Sequence, residues 1–187
     1  MSEPAAIERA LLLCLDLQPV FLRAVADGPT ILRRCEFAVA AAVGLEMPVA
    51  FTEQVPAKLG GTEPSLRALA PRAAVHAKAT FSALARDSPT REHITAGRPT
   101  EHLILCGLET PVCVFQTAVD GLQAGLAVTV LSDCVAARRP GDAATCLAAL
   151  ARAGVHVLPA ETVFYSILRD TSHPFFRAYT ALVKSHA

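Results

Sequence analysis

The segment HLILCGLETPVCVFQTA, residues 102–118, decides the fold of this chain. It opens with an uninterrupted apolar run over residues 102–108, turns through Glu109, Thr110 and Pro111, and continues with helical periodicity. A buried strand, a tight turn and a helix in quick succession are typical of α/β proteins. The segment therefore predicts a strand that delivers Cys113 to the first turn of the following helix.

The same alternation extends over the rest of the chain. Five more short apolar runs predict buried strands at residues 10–15, 48–52, 73–77, 126–132 and 155–158. Helical periodicity predicts helices at residues 20–43, 112–124 and 143–153, the last ended by a glycine. Because the strands are continuously apolar, both faces of their sheet should be covered. The pattern predicts an α/β sandwich with a mostly parallel central sheet.

The remaining segments connect or flank these elements. Proline and glycine residues mark loop-rich stretches at residues 56–71 and 89–99, and both are candidate rims of a site. Residues 161–168 and 174–184 predict two amphipathic helices, which either cap the sheet or form an oligomer contact.

Length and composition predict one globular domain over residues 1–187. Hydrophobic residues make up 52% and charged residues only 18%, which excludes the composition of a disordered chain. Lys and Arg number 17, as do Asp and Glu, so the net charge is zero and no basic stripe exists to bind phosphates or an anionic membrane. Neither nucleic acid nor a membrane is therefore an expected partner.

Cysteine spacing and the absence of a long apolar run bear on the compartment. The six cysteines form no Cys-x-x-Cys pair and have no partnered histidine spacing, which argues against disulfides and zinc. No apolar run approaches the ~20 residues that span a bilayer, and the first four residues lack the positive region of a signal peptide. These features predict a cytoplasmic protein.

Polar residues that directly follow apolar runs are the first candidates for chemistry, because ligands bind beyond the carboxyl ends of parallel strands. Three stand out, namely Asp16, Lys78 and Cys113. Asp16 suits a general base, but an Asp after a strand also caps helices, and Asp133 occupies a similar place. For Asp133 the capping role is favoured. Lys78 suits a buried cation or a solvated strand end, and Lys58, in the loop between the second and third strands, is its rival.

Cys113 is the thiol whose surroundings predict reactivity. The first turn of a helix presents unpaired amides and the positive end of the helix dipole. With a cation nearby, these features lower a thiol pKa from ~8.5 into the range ~3.5 to 7.5. The same amides can hold an oxyanion. The other five cysteines lie in or beside strand and helix runs and are predicted to be buried and inert, at positions 14, 35, 106, 134 and 146.

A set of motifs covers nearly the whole chain. They are Asp16-Leu17-Gln18, Thr52-Glu53-Gln54-Val55-Pro56 with Leu59-Gly60, Lys78-Ala79-Thr80-Phe81-Ser82, residues 107–118, and residues 164–184 with His173-Pro174. On these motifs the chain resembles isochorismatase-like cysteine hydrolases, which include nicotinamidases and N-carbamoylsarcosine amidohydrolase. The Thr-Glu-Gln loop and the ending look most like the subgroup of uncharacterised isochorismatase domain-containing proteins.

The resemblance implies a three-layer α/β/α sandwich around a six-stranded parallel sheet, and a catalytic triad of Asp16, Lys78 and Cys113. It implies a cis peptide bond between Leu108 and Glu109, with the backbone amides of Glu109 and Cys113 forming the oxyanion hole. It also implies a homo-oligomer. Four apolar residues in or next to the matching motifs are candidate walls of the substrate pocket, each of them also compatible with plain core: Phe21, Leu59, Phe81 and Val112.

Two departures from the family pattern narrow the expected function. Nicotinamidases bind a metal through an Asp-x-His pair after the second strand, whereas this chain has Glu53-Gln54-Val55 there and no histidine between Phe51 and Val75. We therefore expect no metal or cofactor, and the departure argues against nicotinamidase activity. The second departure is Pro19, where relatives often carry a polar residue, so the polarity of the pocket is open.

The expected function is metal-independent cysteine hydrolysis of an amide-like C–N bond in a small molecule. Two alternatives remain. One is vinyl-ether hydrolysis of the isochorismatase type, with Asp16 as proton donor and no need for the cysteine. The other is a non-catalytic oligomeric binding protein that keeps the fold.

Overall fold

The computed structural model describes residues 7–95 and 100–186, and within them six strands form one sheet. No helix in these two ranges is long and apolar enough to cross a membrane. The strands are β1 Ala10–Leu15, β2 Val49–Gln54, β3 Ala74–Lys78, β4 His102–Leu108, β5 Ala127–Ala136 and β6 His156–Leu158. The helices are α1 Pro19–Leu22, α2 Gly28–Gly44, α3 Pro56–Leu59, α4 Pro64–Leu69, α5 Pro89–Thr95, α6 Phe115–Gln123, α7 Pro140–Arg152, α8 Ala160–Leu168 and α9 Phe176–Ser185. A 3₁₀ turn, Ile7–Arg9, precedes β1, and a π-helical turn, Thr110–Val114, precedes α6.

The sheet has the strand order β3-β2-β1-β4-β5-β6, and all its pairs are parallel. The chain moves outward from β1 through β2 to β3, and then returns to the other side of β1 to add β4, β5 and β6. The order therefore reverses between β1 and β4. In open parallel sheets a crevice opens at the carboxyl ends of the strands at such a reversal, and ligands bind in it.

Buried side chains cover both faces of the sheet. On one face, α2, α4, α8 and α9 contribute side chains such as Phe37, Leu66 and Tyr179 to one hydrophobic cluster. On the other face, α5, α6 and α7 contribute Ile94, Ala118 and Leu150 to a second cluster. The predicted three-layer α/β/α sandwich with a six-stranded parallel sheet is confirmed.

The boundaries differ from the predicted ones most clearly in the first long helix and at the ends of β2 and β5, and the stretches predicted as loop-rich also contain the short helices α3, α4 and α5. The helix predicted at residues 20–43 is broken into α1 and α2. Gly28 begins α2 and packs so closely on the end of α1 that a Cβ there would lie 2.0 Å from the carbonyl oxygen of Leu22. Strand β2 runs to Gln54 and β5 to Ala136, whereas apolar runs alone ended these strands at residues 52 and 132. Both strands continue because their polar ends still pair with neighbours in the sheet.

Gly107 explains how β1 and β4 come together at the reversal. Its φ is +117°, and a Cβ there would lie 2.0 Å from the carbonyl oxygen of Leu15. Only glycine combines this backbone conformation with such a close approach of the two strands. The strand ends that carry Asp16 and the Cys113 turn are thereby held side by side.

Strand β3 lies at one edge of the sheet and pairs with β2. Three of its five residues are exposed, and Lys78, its last residue, is buried. The strand thus delivers one buried cation from an otherwise solvent-facing edge.

Candidate active site

The three residues predicted from strand ends meet in one place. The Nζ atom of Lys78 lies 2.6 Å from Oδ2 of Asp16 and 3.6 Å from Sγ of Cys113. Asp16 follows β1, Lys78 ends β3, and Cys113 lies in the π-helical turn after β4. All three are buried. The structure therefore brings together an acid, a cation and a thiol at the carboxyl edge of the sheet.

Asp16 is fixed through both carboxylate oxygens. The hydroxyl of Thr52 donates to Oδ1 at 2.7 Å, while Lys78 donates to Oδ2. The residue has a φ of +51°, a left-handed conformation that Asp adopts more readily than most residues, and its amide donates to the carbonyl of Thr52 at 3.1 Å. The carboxylate therefore has a defined orientation before any ligand arrives.

Lys78 has five acceptors around its ammonium group within the described residues. Besides Asp16 and Cys113, these are Oε1 of Gln54 at 2.5 Å and the carbonyl oxygens of Thr80 and Phe81 at 3.2 and 3.1 Å. An ammonium has only three protons to donate. The thiol is the most distant of the five acceptors. Lys78 is therefore close enough to stabilise a thiolate, while its shorter hydrogen bonds are to the oxygen acceptors.

Burial and the charge of Asp16 raise the pKa of Cys113 to about 12, while Lys78 lowers it. The prediction that the thiol pKa falls was wrong, because burial in this crevice and a neighbouring carboxylate outweigh the cation and the turn. The resting site thus holds a neutral thiol beside an ion pair. A thiolate has to be generated by passing the proton to a base.

The turn between β4 and Cys113 has the form implied by the resemblance. The peptide bond between Leu108 and Glu109 is cis. The amides of Val112 and Val114 donate to the carbonyl of Glu109 at 3.1 and 3.2 Å. Arg138 holds the Glu109 carboxylate through its backbone amide at 3.2 Å and its Nε at 3.0 Å. The role of the Glu109 and Cys113 amides as an oxyanion hole stays a prediction.

In a comparison with known protein families, residues 10–162 match the Isochorismatase domain family. The chain belongs to the isochorismatase family. Membership supports a hydrolase role for the chain. The family match spans β1 through the first residues of α8, and so includes every strand of the sheet and all three residues of the triad.

Relatives in this family cover almost the whole chain. Isochorismatase domain-containing protein 2A of Mus musculus is 32% identical over 95% of this chain and 84% of its own length. The secreted isochorismatase effector Isc1 of Phytophthora sojae is 30% identical over 95% of this chain and 85% of its own length. Among solved structures, the MAR1 ribonuclease from Caenorhabditis elegans superimposes with a TM-score of 0.86 at 29% identity, covering 94% of this chain and 90% of that one.

The four predicted pocket residues lie in segments that follow the carboxyl ends of strands. Phe81 comes after β3 and is 55% exposed, although its carbonyl contacts Lys78. Phe21, Leu59 and Val112 are partly buried. Phe21 also packs against the larger hydrophobic cluster. Contact of these residues with a substrate stays a prediction.

The two rivals of the triad residues occupy different positions. Asp133 accepts hydrogen bonds from Arg34, with its Oδ2 at 2.6 Å from Nη2, and its Oδ1 accepts the first amide of α8, from Ala160, at 2.8 Å. Asp133 lies inside β5 and the N-cap residue of α8 is Pro159, so Asp133 supports the start of α8 from a distance and is not the cap of the helix that follows it. Lys58 is exposed on α3.

Four of the remaining cysteines lie together in the core. Cys14 and Cys106, in register on β1 and β4, have sulfur atoms 3.5 Å apart, and the thiol of Cys35 donates to the carbonyl of Cys134 at 3.3 Å. All four are fully buried, as predicted. Cys146 is only partly buried on α7, so the prediction that it is buried was wrong.

In residues 7–95 and 100–186, no cluster of His, Cys, Asp or Glu is arranged to hold a metal ion.

Sequence reasoning gave no role to Thr52 and Gln54, which hold Asp16 and Lys78. Both side chains are buried, although they lie at the polar end of a strand. Their spacing of two residues places them on the same face of β2. Two polar residues at alternate positions at the carboxyl end of a buried strand were the signal that could have identified them.

We expect removal of the Thr110 hydroxyl to stabilise the fold. It is buried and has no hydrogen-bond partner in the described part of the chain. A buried polar group without a partner is unfavourable, so Thr110→Val is expected to raise the free energy of unfolding by about 1 kcal/mol. Denaturant unfolding measures this change.

Thr117→Val is the matched control. Thr117 is also buried in this region, but its hydroxyl accepts the amide of Ala83 at 3.0 Å. Valine there leaves that amide unpaired and should lower the free energy of unfolding by about 1 to 3 kcal/mol. Equal losses in both variants would contradict the assignment of an unpartnered hydroxyl to Thr110.

Proposed function

We propose that this chain is a metal-independent cysteine hydrolase that cleaves an amide-like C–N bond of a small molecule. The observation that carries the proposal is the position of the Lys78 ammonium, 2.6 Å from the Asp16 carboxylate and 3.6 Å from the Cys113 sulfur. A nucleophile, a base and a stabilising charge within such distances are the parts that covalent acyl transfer requires.

In the first half of the reaction, Asp16 takes the proton of the Cys113 thiol, and the thiolate attacks the carbonyl carbon of the substrate. The tetrahedral oxyanion is held by the amides of Glu109 and Cys113, each worth on the order of 3 kcal/mol in comparable hydrolases. When the C–N bond breaks, Asp16 gives its proton to the leaving amine and a thioester remains on Cys113.

In the second half, water adds to the thioester carbonyl and gives its proton to Asp16. The C–S bond then breaks, the acid product leaves, and the thiol regains the proton from Asp16. The proton shuttles between Cys113 and Asp16 while Lys78 stays charged. The triad together with the bound oxyanion therefore keeps a net charge of zero at each stage, which avoids isolating one charge away from water.

A small, uncharged or weakly charged substrate fits this site better than a polyanion. The cation of the site is buried against a carboxylate, and Lys and Arg balance Asp and Glu over the whole chain at 17 each. Assembly as a homo-oligomer and a cytoplasmic location are further predictions. Sedimentation or light scattering of the purified chain tests the first of these.

The proposal is tested with a panel of amides, ureas, nitriles and one activated ester, with product analysis and intact-mass detection of a covalent adduct. We expect the adduct on Cys113, its loss in Cys113→Ala, and its retention in the matched variant Cys134→Ala. Cys134 is a buried thiol without contact to Lys78 among the described residues. Equal adduct formation in both variants would falsify the assignment of the nucleophile.

Vinyl-ether hydrolysis of an isochorismate-like substrate is the second candidate, because one relative, 30% identical, is named an isochorismatase effector. Asp16 would then donate a proton to the vinyl ether, and Cys113 would be dispensable. Turnover of isochorismate that survives in Cys113→Ala favours this function over amide hydrolysis.

RNA is also tested as a substrate, because the C. elegans relative is described as a ribonuclease. The neutral charge of this chain argues against tight binding of a polyphosphate backbone. Cleavage of a single-stranded oligonucleotide that depends on Cys113 or Asp16 would replace the small-molecule proposal. A complete lack of turnover and adducts would leave the non-catalytic alternative.

A further inference from the structure

Gln54 is held in a single orientation beside the triad. It is the last residue of β2, is 8% exposed, and lies in register with Lys78 on the neighbouring strand. Its side chain accepts from Nζ of Lys78 at 2.5 Å and donates to the carbonyl of Ala79 at 2.9 Å. Both halves of the amide are therefore used, and only this orientation of the amide satisfies them.

The backbone of Gln54 is fixed as firmly as its side chain. The buried side chain of Gln18 accepts the Gln54 amide at 2.7 Å and donates to the Gln54 carbonyl at 3.2 Å, as a neighbouring strand would. Gln18 also donates to the carbonyl of Gly60 at 2.5 Å, and its own amide donates to the carbonyl of Asp16 at 2.8 Å. Gln18 thus ties the residue that holds the cation to the residue that carries the acid.

We propose that Gln54 is the positioning residue for Lys78: it keeps the ammonium between Asp16 and Cys113, and its neutral amide leaves the buried site without excess charge. The catalytic part of this inference rests on the proposed function.

The path of the lysine side chain explains why such a residue is needed. Lys78 starts on the edge strand β3, and its targets lie beyond β2, directly after β1 and after β4. Two of its acceptors, the carbonyls of Thr80 and Phe81, belong to its own segment. Those carbonyls could accept two of its three protons close to the edge of the sheet. Gln54, on the intervening strand β2, supplies a further acceptor that holds the Lys78 ammonium near Asp16 and Cys113.

The charge of the side chain matters as much as its position. The charged groups that act on the Cys113 thiol are Asp16 and Lys78, which compensate each other. A glutamate in place of Gln54 would be nearly isosteric but would add a second carboxylate against one ammonium. Formation of a thiolate, with its proton on Asp16, would then place two negative charges, the thiolate and the glutamate, against a single ammonium, which disfavours the thiolate.

Alkylation of Cys113 by iodoacetamide, followed against pH and located by peptide mapping, tests the inference without requiring a substrate. We expect Gln54→Glu to lower the rate about tenfold or more at neutral pH and to move the rising limb of the profile to higher pH, since tenfold corresponds to one pKa unit. Gln54→Met, neutral and without an acceptor, should move the profile in the same direction by less. Circular dichroism and melting temperature establish that each variant is folded.

Gln123→Glu is the matched control, because it introduces the same charge at an exposed position at the end of α6. Its profile should coincide with that of the wild type. If both folded Gln54 variants also give the wild-type profile, the inference is overturned. If Gln54→Glu fails to fold, Gln54→Met decides by the same criterion. Failure of the proposed function shows separately, as a wild-type Cys113 that alkylates normally but forms no acyl adduct.

Discussion

Asp16→Asn is expected to slow acylation of Cys113 by about 10²- to 10⁴-fold at neutral pH, the usual contribution of a positioned base. Burial and the Asp16 charge raise the pKa of Cys113 to about 12, so the thiol is protonated at rest and cannot attack until its proton leaves. Asparagine keeps the acceptor for Lys78 or Thr52 but cannot take that proton. Release of nitrophenolate from p-nitrophenyl acetate measures acylation, and its good leaving group isolates the role of the base.

The pH dependence of the same variant has a defined sign. Without a base, only the thiolate fraction reacts, and below the thiol pKa this fraction rises about tenfold per pH unit. The rate of Asp16→Asn should therefore climb with pH, and the wild-type rate should not follow this slope. Asp133→Asn is the matched control, because Asp133 pairs with Arg34 and accepts the amide of Ala160, away from the triad. Equal profiles for wild type and Asp16→Asn would show that Asp16 is not the base.

Lys78→Met is expected to lower the free energy of unfolding by about 3 to 5 kcal/mol, the usual effect of removing one partner of a buried ion pair. The Asp16 and Lys78 side chains are 1% and 0% exposed, so methionine would leave a carboxylate buried without its cation. For a chain of this size the corresponding fall in melting temperature is roughly 10 °C. Denaturant and thermal unfolding measure the two quantities.

The double variant Asp16→Asn, Lys78→Met separates charge from packing. It removes both charges, so its stability should exceed that of Lys78→Met alone although it carries one more substitution. Lys58→Met provides the surface control, and a change within about 0.5 kcal/mol is expected there. If Lys78→Met were as stable as Lys58→Met, the buried ion pair would have no part in holding the site.

The sequence singled out the three candidate residues because each follows an apolar run at a strand end, and the family resemblance chose them over Asp133 and Lys58. Asp16, Lys78 and Cys113 each occupy the carboxyl edge of a parallel sheet, where side chains from different strands converge. The sequence also contains a signal for the break before α2, since Gly28 is followed by Pro29, a combination that ends one helix and starts another. The apolar periodicity over residues 20–43 outweighed this signal and predicted a continuous helix.

The chemistry of the triad was not predictable in the same way. The direction of the Cys113 pKa depends on how deeply the thiol is buried and on its distance from Asp16, and both are set by contacts between strands far apart in sequence. The role of Gln54 depends on β2 lying between β3 and β1. Apolar patterns reveal strands but not their order, so neither the path of Lys78 nor its acceptors could be read beforehand.

The edge position of β3 makes the function of this protein more fragile than its fold. The five-residue strand has one neighbour in the described sheet and mostly exposed side chains, and such segments open locally at a lower free energy than a core. We expect such an opening to move Lys78 away from Asp16 and Cys113 while β1 and β4 remain packed. Mild heat or denaturant should therefore abolish the proposed activity at conditions under which the core is still folded. A partner that covers β3 should let the activity persist to a higher temperature or denaturant concentration without contacting the site.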